Sequence, residues 1–485
     1  MSHATPAPAP SSRPLGLYLV LMLNGFVGAA GLTIIYLMLA TLYREYEGSS
    51  GVGWSVTIYL LVSAISAALC GRLGDLLGRR FMILVVLAIC AVGSLASALL
   101  PSLAGLIVGC ALQGTAGAMT PLSIGLAREN LPAKRVPVAM GVVACSGMFG
   151  AGIAYLLGGI VVDHYASHGG FLLKVLLSAL TFAAVVLIVP RPQRAPSSLK
   201  DVDLLRGVLF APALGLALVS LELRGSLGFG DPRVWGGFFL AALLLTYWVR
   251  HQAAQARPLI DVRMLVTPGI VWPNLAMIFL ALGAIQLGQT FSLLLQQPAW
   301  TGVGFGLAPT LLGWIMLPLN SMTVVVGPLA GRMSRRFGAR SVALFGATAC
   351  FVAWLMMVQW HASLMQVMFA AVVCTIGYGT LMPAIYNLIA SASPVERASE
   401  AAGVNAVCLA AFMAVGSQLL FGLLGSDKVS DPAHGPAAFP SAAAFGSAFV
   451  YLAAMSLSCL VVLLIAGRRP VVFPDGVGRA AETSP

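Results

Sequence analysis

The sequence predicts an all-α polytopic membrane protein: two six-helix bundles related by a pseudo-two-fold axis, with two extra helices between them. Three observations carry that prediction. Of 485 residues, 59% are hydrophobic and only 9% charged, at a mean hydropathy of +0.94; soluble chains carry about 25% charged residues. Uncharged runs repeatedly reach the roughly 20 residues that cross a bilayer. A ten-residue loop sequence recurs 260 residues later. The composition excludes a cytosolic enzyme, a secreted domain and a disordered chain.

The elements follow in chain order. Pro14–Tyr43 is the first uncharged run and Gly48–Gly71 the second. Phe81–Ala127 holds two spans, parted at Leu100-Pro101-Ser102. Val136–Val162 is the fifth. Phe171–Pro190 is the sixth, with Lys174 one turn inside its outer end. Met264–Gly331 holds two more, parted from Gln296-Gln297-Pro298 to Gly306. Ser341–Val395 holds two around Trp360-His361, and Ala401–Ser426 and Pro440–Gly467 complete the set. Between the halves lie Gly207–Leu221 and Val234–Val249, both short for a crossing. They are read as an extra pair of membrane helices, with a hairpin lying in the interface as the alternative. The expected domains are a disordered tail (1–14), an N-terminal bundle (15–190), a linker with the extra pair (191–266), a C-terminal bundle (267–467) and a second tail (468–485).

The net charge is +11. In a soluble domain that suggests nucleic acid; here it reflects basic loops held in the cytoplasm, and no nucleic-acid partner is expected. Alternating the loops puts 22 Lys and Arg on the side of the N-terminus and five on the other. Both termini are therefore expected in the cytoplasm of a cell membrane, the inner one in a Gram-negative organism. The first run is too long for a signal peptide. All eight cysteines fall in apolar runs with no CxxC, so they read as small apolar residues. No HExxH and no GxxxxGK[ST] occurs, which removes the local signatures of a zinc peptidase and an ATP-driven pump. No enzyme activity, cofactor or metal is expected.

The recurring loop is GRLGDLLGRR at Gly71–Arg80 and GRMSRRFGAR at Gly331–Arg340, where Gly71/Gly331, Arg72/Arg332, Gly78/Gly338 and Arg80/Arg340 coincide. Both copies join the second and third helices of their halves. Internal duplication of a helical bundle is the mark of a secondary transporter, with its site between the halves near the midplane.

The first copy, with Asp75 at its centre and Arg79 beside Arg80, resembles the loop motif of the major facilitator superfamily. With Trp54 through Leu60, and Leu294-Leu295-Gln296 followed by Gly304 through Pro318, the chain resembles the 14-spanner drug:proton antiporter branch over about Leu15–Gly467. The resemblance implies substrate export by alternating access. It implies that Asp75 meets the start of the eleventh helix, near Ser399–Gly403, and latches the cytoplasmic gate; an anion is stabilised at a helix N-terminus. In the second copy Arg335 stands at the matching position, so the latch is acidic on one side only.

Three departures stand out. Gly31 precedes Thr33-Ile34-Ile35 where the family places an acid. Cys110 precedes Gln113-Gly114 where it places an arginine. In the fifth helix Gly150-Ala151 and Ala154-Tyr155 replace Gly-Pro pairs, although Gly158 and Gly159 remain as close-packing residues. No Asp, Glu or His lies in the middle of any of the twelve family helices. Proton coupling is thus expected to be absent, weak, or moved to a rim acid: Asp163, Glu222 or Asp75.

Polar uncharged residues become the cavity candidates: Asn24, Thr33 and Tyr36, then Gln113, then Gln286, Gln289 and Gln296, then Asn320, Tyr378, Tyr386, Asn387 and Asn405. An unpaired amide in lipid is costly, so each faces protein or a water-filled cavity, with interhelical hydrogen bonding as the alternative role. Such a cavity suits amphipathic organic molecules rather than phosphate or dicarboxylates. The expected protein is a monomer in the lipid bilayer with a small-molecule substrate, and protons as a candidate co-substrate. An importer or uncoupled facilitator, or a non-transporting sensor on the same fold, is the alternative.

Overall fold

The computed structural model describes residues 14–190, 209–228, 230–255, 262–263, 269–392, 398–431, 433 and 437–466. Most of the two tails and of the stretch after the sixth helix lie outside them. In the N-terminal half α1 is Pro14–Glu45, α2 Gly53–Leu77, α3 Arg79–Leu99, α4 Leu103–Gln113, α5 Met119–Asn130 and α6 Val136–Ile188. The extra pair is α7, Phe210–Leu227, and α8, Pro232–Ala254. The C-terminal half has α9 Val271–Leu282, α10 Leu287–Gln296, α11 Pro309–Phe337, α12 Ala339–Gln359, α13 Leu364–Ala392, α14 Ala398–Leu424 and α15 Ala442–Ala466. A two-stranded ribbon, β1 Lys428–Val429 and β2 Phe439–Pro440, links α14 to α15.

Among the described residues, twelve helical segments are long and apolar enough to cross a membrane. One of them is α8; α7, which carries Glu222 and Arg224, is not. The 53-residue α6 is bent back at Ala166 (φ 51, ψ −150), giving arms of residues 136–165 and 167–188 that serve as the fifth and sixth helices. A positive φ is costly for alanine. Glu45 at the end of α1 holds the turn by accepting from the Ser167 amide at 3.2 Å and from its hydroxyl at 2.5 Å.

Two crossings are interrupted. α4 and α5 are joined by a 3-10 segment, Gly114–Ala118, and α9 and α10 by a break at Gly283 followed by Ala284–Gln286. A mid-helix 3-10 stretch often marks a hinge. At Gly114 and Gly117 the backbone lies against the carbonyls of Tyr59 and Ser63 on α2, where a Cβ would come within 2.6 and 2.5 Å.

The repeat is visible in packing. Gly93 of α3 crosses Gly109 of α4 so closely that a Cβ on Gly93 would lie 2.7 Å from the Gly109 carbonyl. Gly346 of α12 crosses Gly377 of α13 in the same way, at 2.7 Å. Small residues let helix backbones approach where the hydrophobic effect gives no preference between lipid and protein.

Candidate substrate cavity and gate

One end of the bundle carries Arg72, Arg79 and Arg80 and, from the second copy, Arg332, Arg335, Arg336 and Arg340; we call it the basic face. Each copy turns on a glycine with positive φ, Gly78 (φ 94, ψ 131) and Gly338 (φ 85, ψ 141). Each then sends an arginine to the last turn of its half's sixth helix. Arg80 donates to the Val186 carbonyl at 3.0 Å, and Arg340 to the Leu463 and Leu464 carbonyls at 3.4 and 3.2 Å. Cations are stabilised at helix C-termini. Gly71 and Gly331 are the two entry glycines of the motif, and nothing crowds the Gly331 position.

The copies differ in their acids. Asp75 Oδ1 accepts from Arg79 Nη2 at 2.5 Å, and Arg79 Nε lies 3.4 Å from Glu129 Oε1 of α5. This pairing joins α2, α3 and α5. The side chains of Ser399–Gly403, the family's partner segment for Asp75, lie outside the described residues.

Hydrogen bonds between the halves gather toward the opposite face. Thr57 Oγ1 donates to Gln418 Oε1 at 2.8 Å, Gln296 Nε2 to the Leu37 carbonyl at 2.7 Å, and the Thr310 amide at the start of α11 to Asp163 Oδ2 at 2.9 Å. Lys428 Nζ donates to the Gly48 carbonyl at 2.7 Å. Gln418 also donates to Glu222, so the extra helix α7 is tied to the same seam. Gly159 lies so close to the Pro309 carbonyl that a Cβ would reach 2.4 Å, while Gly150 and Gly158 face Phe26 and Leu37 of α1.

Beneath this seam lies a cavity of about 310 Å³. Its N-terminal wall is Leu32, Thr33 and Tyr36 of α1 and Tyr155 of α6. The C-terminal half supplies residues around Ile285 and Gly288, then Met316, Asn320 and Thr323 of α11, Thr375, Tyr378 and Met382 of α13, and Met413 of α14. Tyr155 shares a hydrogen bond of 3.1 Å with Ser292. Tyr36 Oη and Thr375 Oγ1 are buried with no protein partner. The wall is therefore largely apolar, with two polar atoms left for a ligand or water, the usual character of a small-molecule site.

Of the sequence candidates, Thr33, Tyr36, Asn320 and Tyr378 line this cavity. Gln286 donates to the Ala281 and Met413 carbonyls, at 2.7 and 3.1 Å, and Gln289 accepts from Ser417 at 3.0 Å, so both tie the seventh helix to α14. Gln296 ties it to α1. Asn405 donates to Asn274 at 2.9 Å. Asn387 is exposed near the end of α13, and Tyr386 is half-buried. Asn24 is fully buried, with neither amide atom partnered. Gln113 is buried in the N-terminal half, where it accepts from Lys174 and donates to Ser97 at 3.1 Å. The cavity's methionines and Tyr155 carry no sequence signal, because an apolar helix does not say which of its faces meets lipid.

Comparison with known proteins agrees with this architecture. The sequence profile of the Major Facilitator Superfamily matches residues 21–417 and 278–480. The chain belongs to that superfamily, a family of non-enzymatic membrane transporters. It is 28% identical over 439 residues to the tetracenomycin C resistance and export protein of Streptomyces glaucescens, covering 88% of this chain and 79% of the relative. It is 26% identical over 400 residues to the multidrug resistance protein Stp of Mycobacterium tuberculosis (81% and 72%). The methyl viologen resistance protein SmvA of Salmonella typhimurium is 28% identical over 420 residues (84% and 81%). Its fold matches a crystal structure of a POT family transporter with a thioalcohol-conjugated peptide, at a TM-score of 0.66 and 15% identity over 95% of this chain and 98% of that one.

Proposed function

We propose that this chain exports amphipathic organic compounds by alternating access. The observation that carries the reading is the cavity between the halves, apolar and methionine-rich, with Tyr36 and Thr375 offering unpartnered polar atoms. Methionine side chains adapt to ligands of different shape. A planar aromatic molecule with one polar edge suits that wall, and the names of the three relatives speak of drug resistance and export. Thr33, Tyr36, Asn320 and Tyr378 are the proposed contacts. The motif of Gly71, Asp75, Gly78, Arg79 and Arg80 is the proposed gate, and Arg332, Gly338 and Arg340 belong to its counterpart.

The charge bias supports a cytoplasmic basic face, which would put the seam of hydrogen bonds on the outer side. Single cysteines at Ser198 and Ser430 in a cysteine-free background test this: only the second is expected to react with an impermeant reagent on whole cells. Transport is tested in inside-out vesicles with ethidium and a panel of dyes and antibiotics. Accumulation of at least one compound, lost on Tyr36→Ala together with Tyr378→Ala, is the expected result. Vesicles indifferent to the whole panel would sink the exporter reading.

A further inference from the structure

The N-terminal half holds an ionisable group that the sequence places near a helix end and the structure places in the interior. Because the sixth-helix arm begins at residue 167, Lys174 lies two turns in, at 5% exposure. Its Nζ donates to Gln113 and lies 5.8 Å from the Tyr59 ring centroid and 5.7 Å from that of Phe171. Among the described residues, no carboxylate pairs with it. The titratable groups facing it are the thiols of Cys90 on α3 and Cys110 on α4, and Tyr59 on α2. α1 presents only Val27, Ala30 and Gly31 there, none of them titratable.

Beside Lys174 is a second chamber, separate from the substrate cavity and of about 20 Å³, bordered by Gly31, Ser94, Gln113 and Ser178. One water needs roughly 10–15 Å³ by this measure. The chamber therefore has room for a single water. Two further observations mark a polar route. Tyr59 Oη, 2% exposed as a residue, has no partner and fills the space that a side chain at Gly31 would take. Asn24, with both amide atoms unpartnered, lies seven residues earlier on α1, on the same helical face. Buried polar atoms without protein partners call for water. Tyr59 and Asn24 therefore place unpartnered polar atoms between Lys174 and the basic face.

We propose that Lys174 is a proton-binding site of the membrane interior, exchanging its proton with the water of this chamber. The proposal rests on the transporter reading and names the group that couples it. The step is a proton transfer alone: the ammonium gives a proton to water, and the Nζ lone pair later accepts one. An ionisable residue inside a membrane helix is rare and commonly marks an ion or proton pathway, and the partner of Lys174 is a neutral amide rather than a carboxylate. Charge on Nζ strengthens both the bond to Gln113 and the contacts with the two rings. Protonation therefore tightens α2, α4 and α6 around the chamber, and deprotonation loosens them behind the α1 wall of the substrate cavity.

Lysine occurs only at 134, 174, 200 and 428. Replacing the other three by arginine leaves Lys174 as the sole lysine of the full-length protein. Its ε-carbon, enriched in carbon-13, is expected to shift with pH while the protein stays folded; an invariant resonance overturns the proposal. In inside-out vesicles, Lys174→Gln and Lys174→Arg are each expected to lower pH-gradient-driven ethidium accumulation by about tenfold or more, a usual size for coupling between two sites. Both should still pass ethidium down its gradient. Arginine keeps the cation without releasing its proton, so gradient-driven accumulation by Lys174→Arg at the wild-type level also overturns the proposal. If the wild type moves no compound of the panel, the exporter reading fails, and the resonance still decides the proton site.

Discussion

The two copies of the loop, Gly71–Arg80 and Gly331–Arg340, share a backbone and differ in charge. Gly78 and Gly338 adopt nearly the same positive-φ conformation, and Arg80 and Arg340 both reach the last turn of a sixth helix. Yet the first copy centres on Asp75, paired with Arg79, while the second carries Arg335. The interiors differ likewise: the N-terminal half buries Lys174, whereas Gln286 and Gln289 hold the seventh helix to α14 with neutral amides. The duplication therefore retains what shapes the backbone and lets the electrostatics diverge.

That comparison can be broken most directly at the helix crossings. Gly93→Val and Gly346→Val each push a side chain onto a backbone carbonyl that cannot yield. Both should destabilise the purified protein by about 1–3 kcal/mol or more, read as a lowered unfolding temperature. Tolerance in one half alone would end the claim of equivalent packing.

The proposed gate comes next. Asp75→Asn should preserve expression and slow dye export by roughly tenfold, a typical coupling effect, whereas Arg335→Gln should leave it near wild type. The Asp75 side chain is 57% exposed, so its ion pair contributes little to stability. A variant that unfolds, rather than one that stalls, would contradict a gating role.

Smaller effects test the shared arginines. Arg80→Gln and Arg340→Gln each remove a cation from a helix C-terminus and should cost about 0.3–1 kcal/mol. Matching shifts in unfolding temperature sharpen the equivalence, and a silent Arg340 variant breaks it.

The smallest effect concerns Lys428 in the seam. Burial lowers its pKa, opposed by the nearby Glu222. The folded state thus releases this proton first. Stability should rise with pH between the lowered value and that of an ordinary lysine. Lys428→Met should flatten that alkaline rise in unfolding temperature, and an unchanged profile would remove Lys428 from it.

Much of the architecture was legible in the chain because local composition decides it. Uncharged runs set the spans, Leu100-Pro101-Ser102 and Trp360-His361 marked the turns, and the repeated loop announced two halves. Membership of the superfamily followed from GRLGDLLGRR. The site was less legible. Gln286, Gln289 and Gln296 share a helical spacing, but the first two point to α14 and the third to α1, because the seventh helix lies between both partners. Asn405 was equally visible and is bonded to Asn274.

Sequence by itself determined which segments leave water, since burying apolar length in lipid depends on neighbours in the chain. Tertiary structure decided which face of each helix meets lipid, partner or cavity, because all three surroundings accept the same apolar side chains. It decided the depth of Lys174 too. That depth follows from the reversal at Ala166, held by Glu45 from the far end of α1, a contact that no local pattern records.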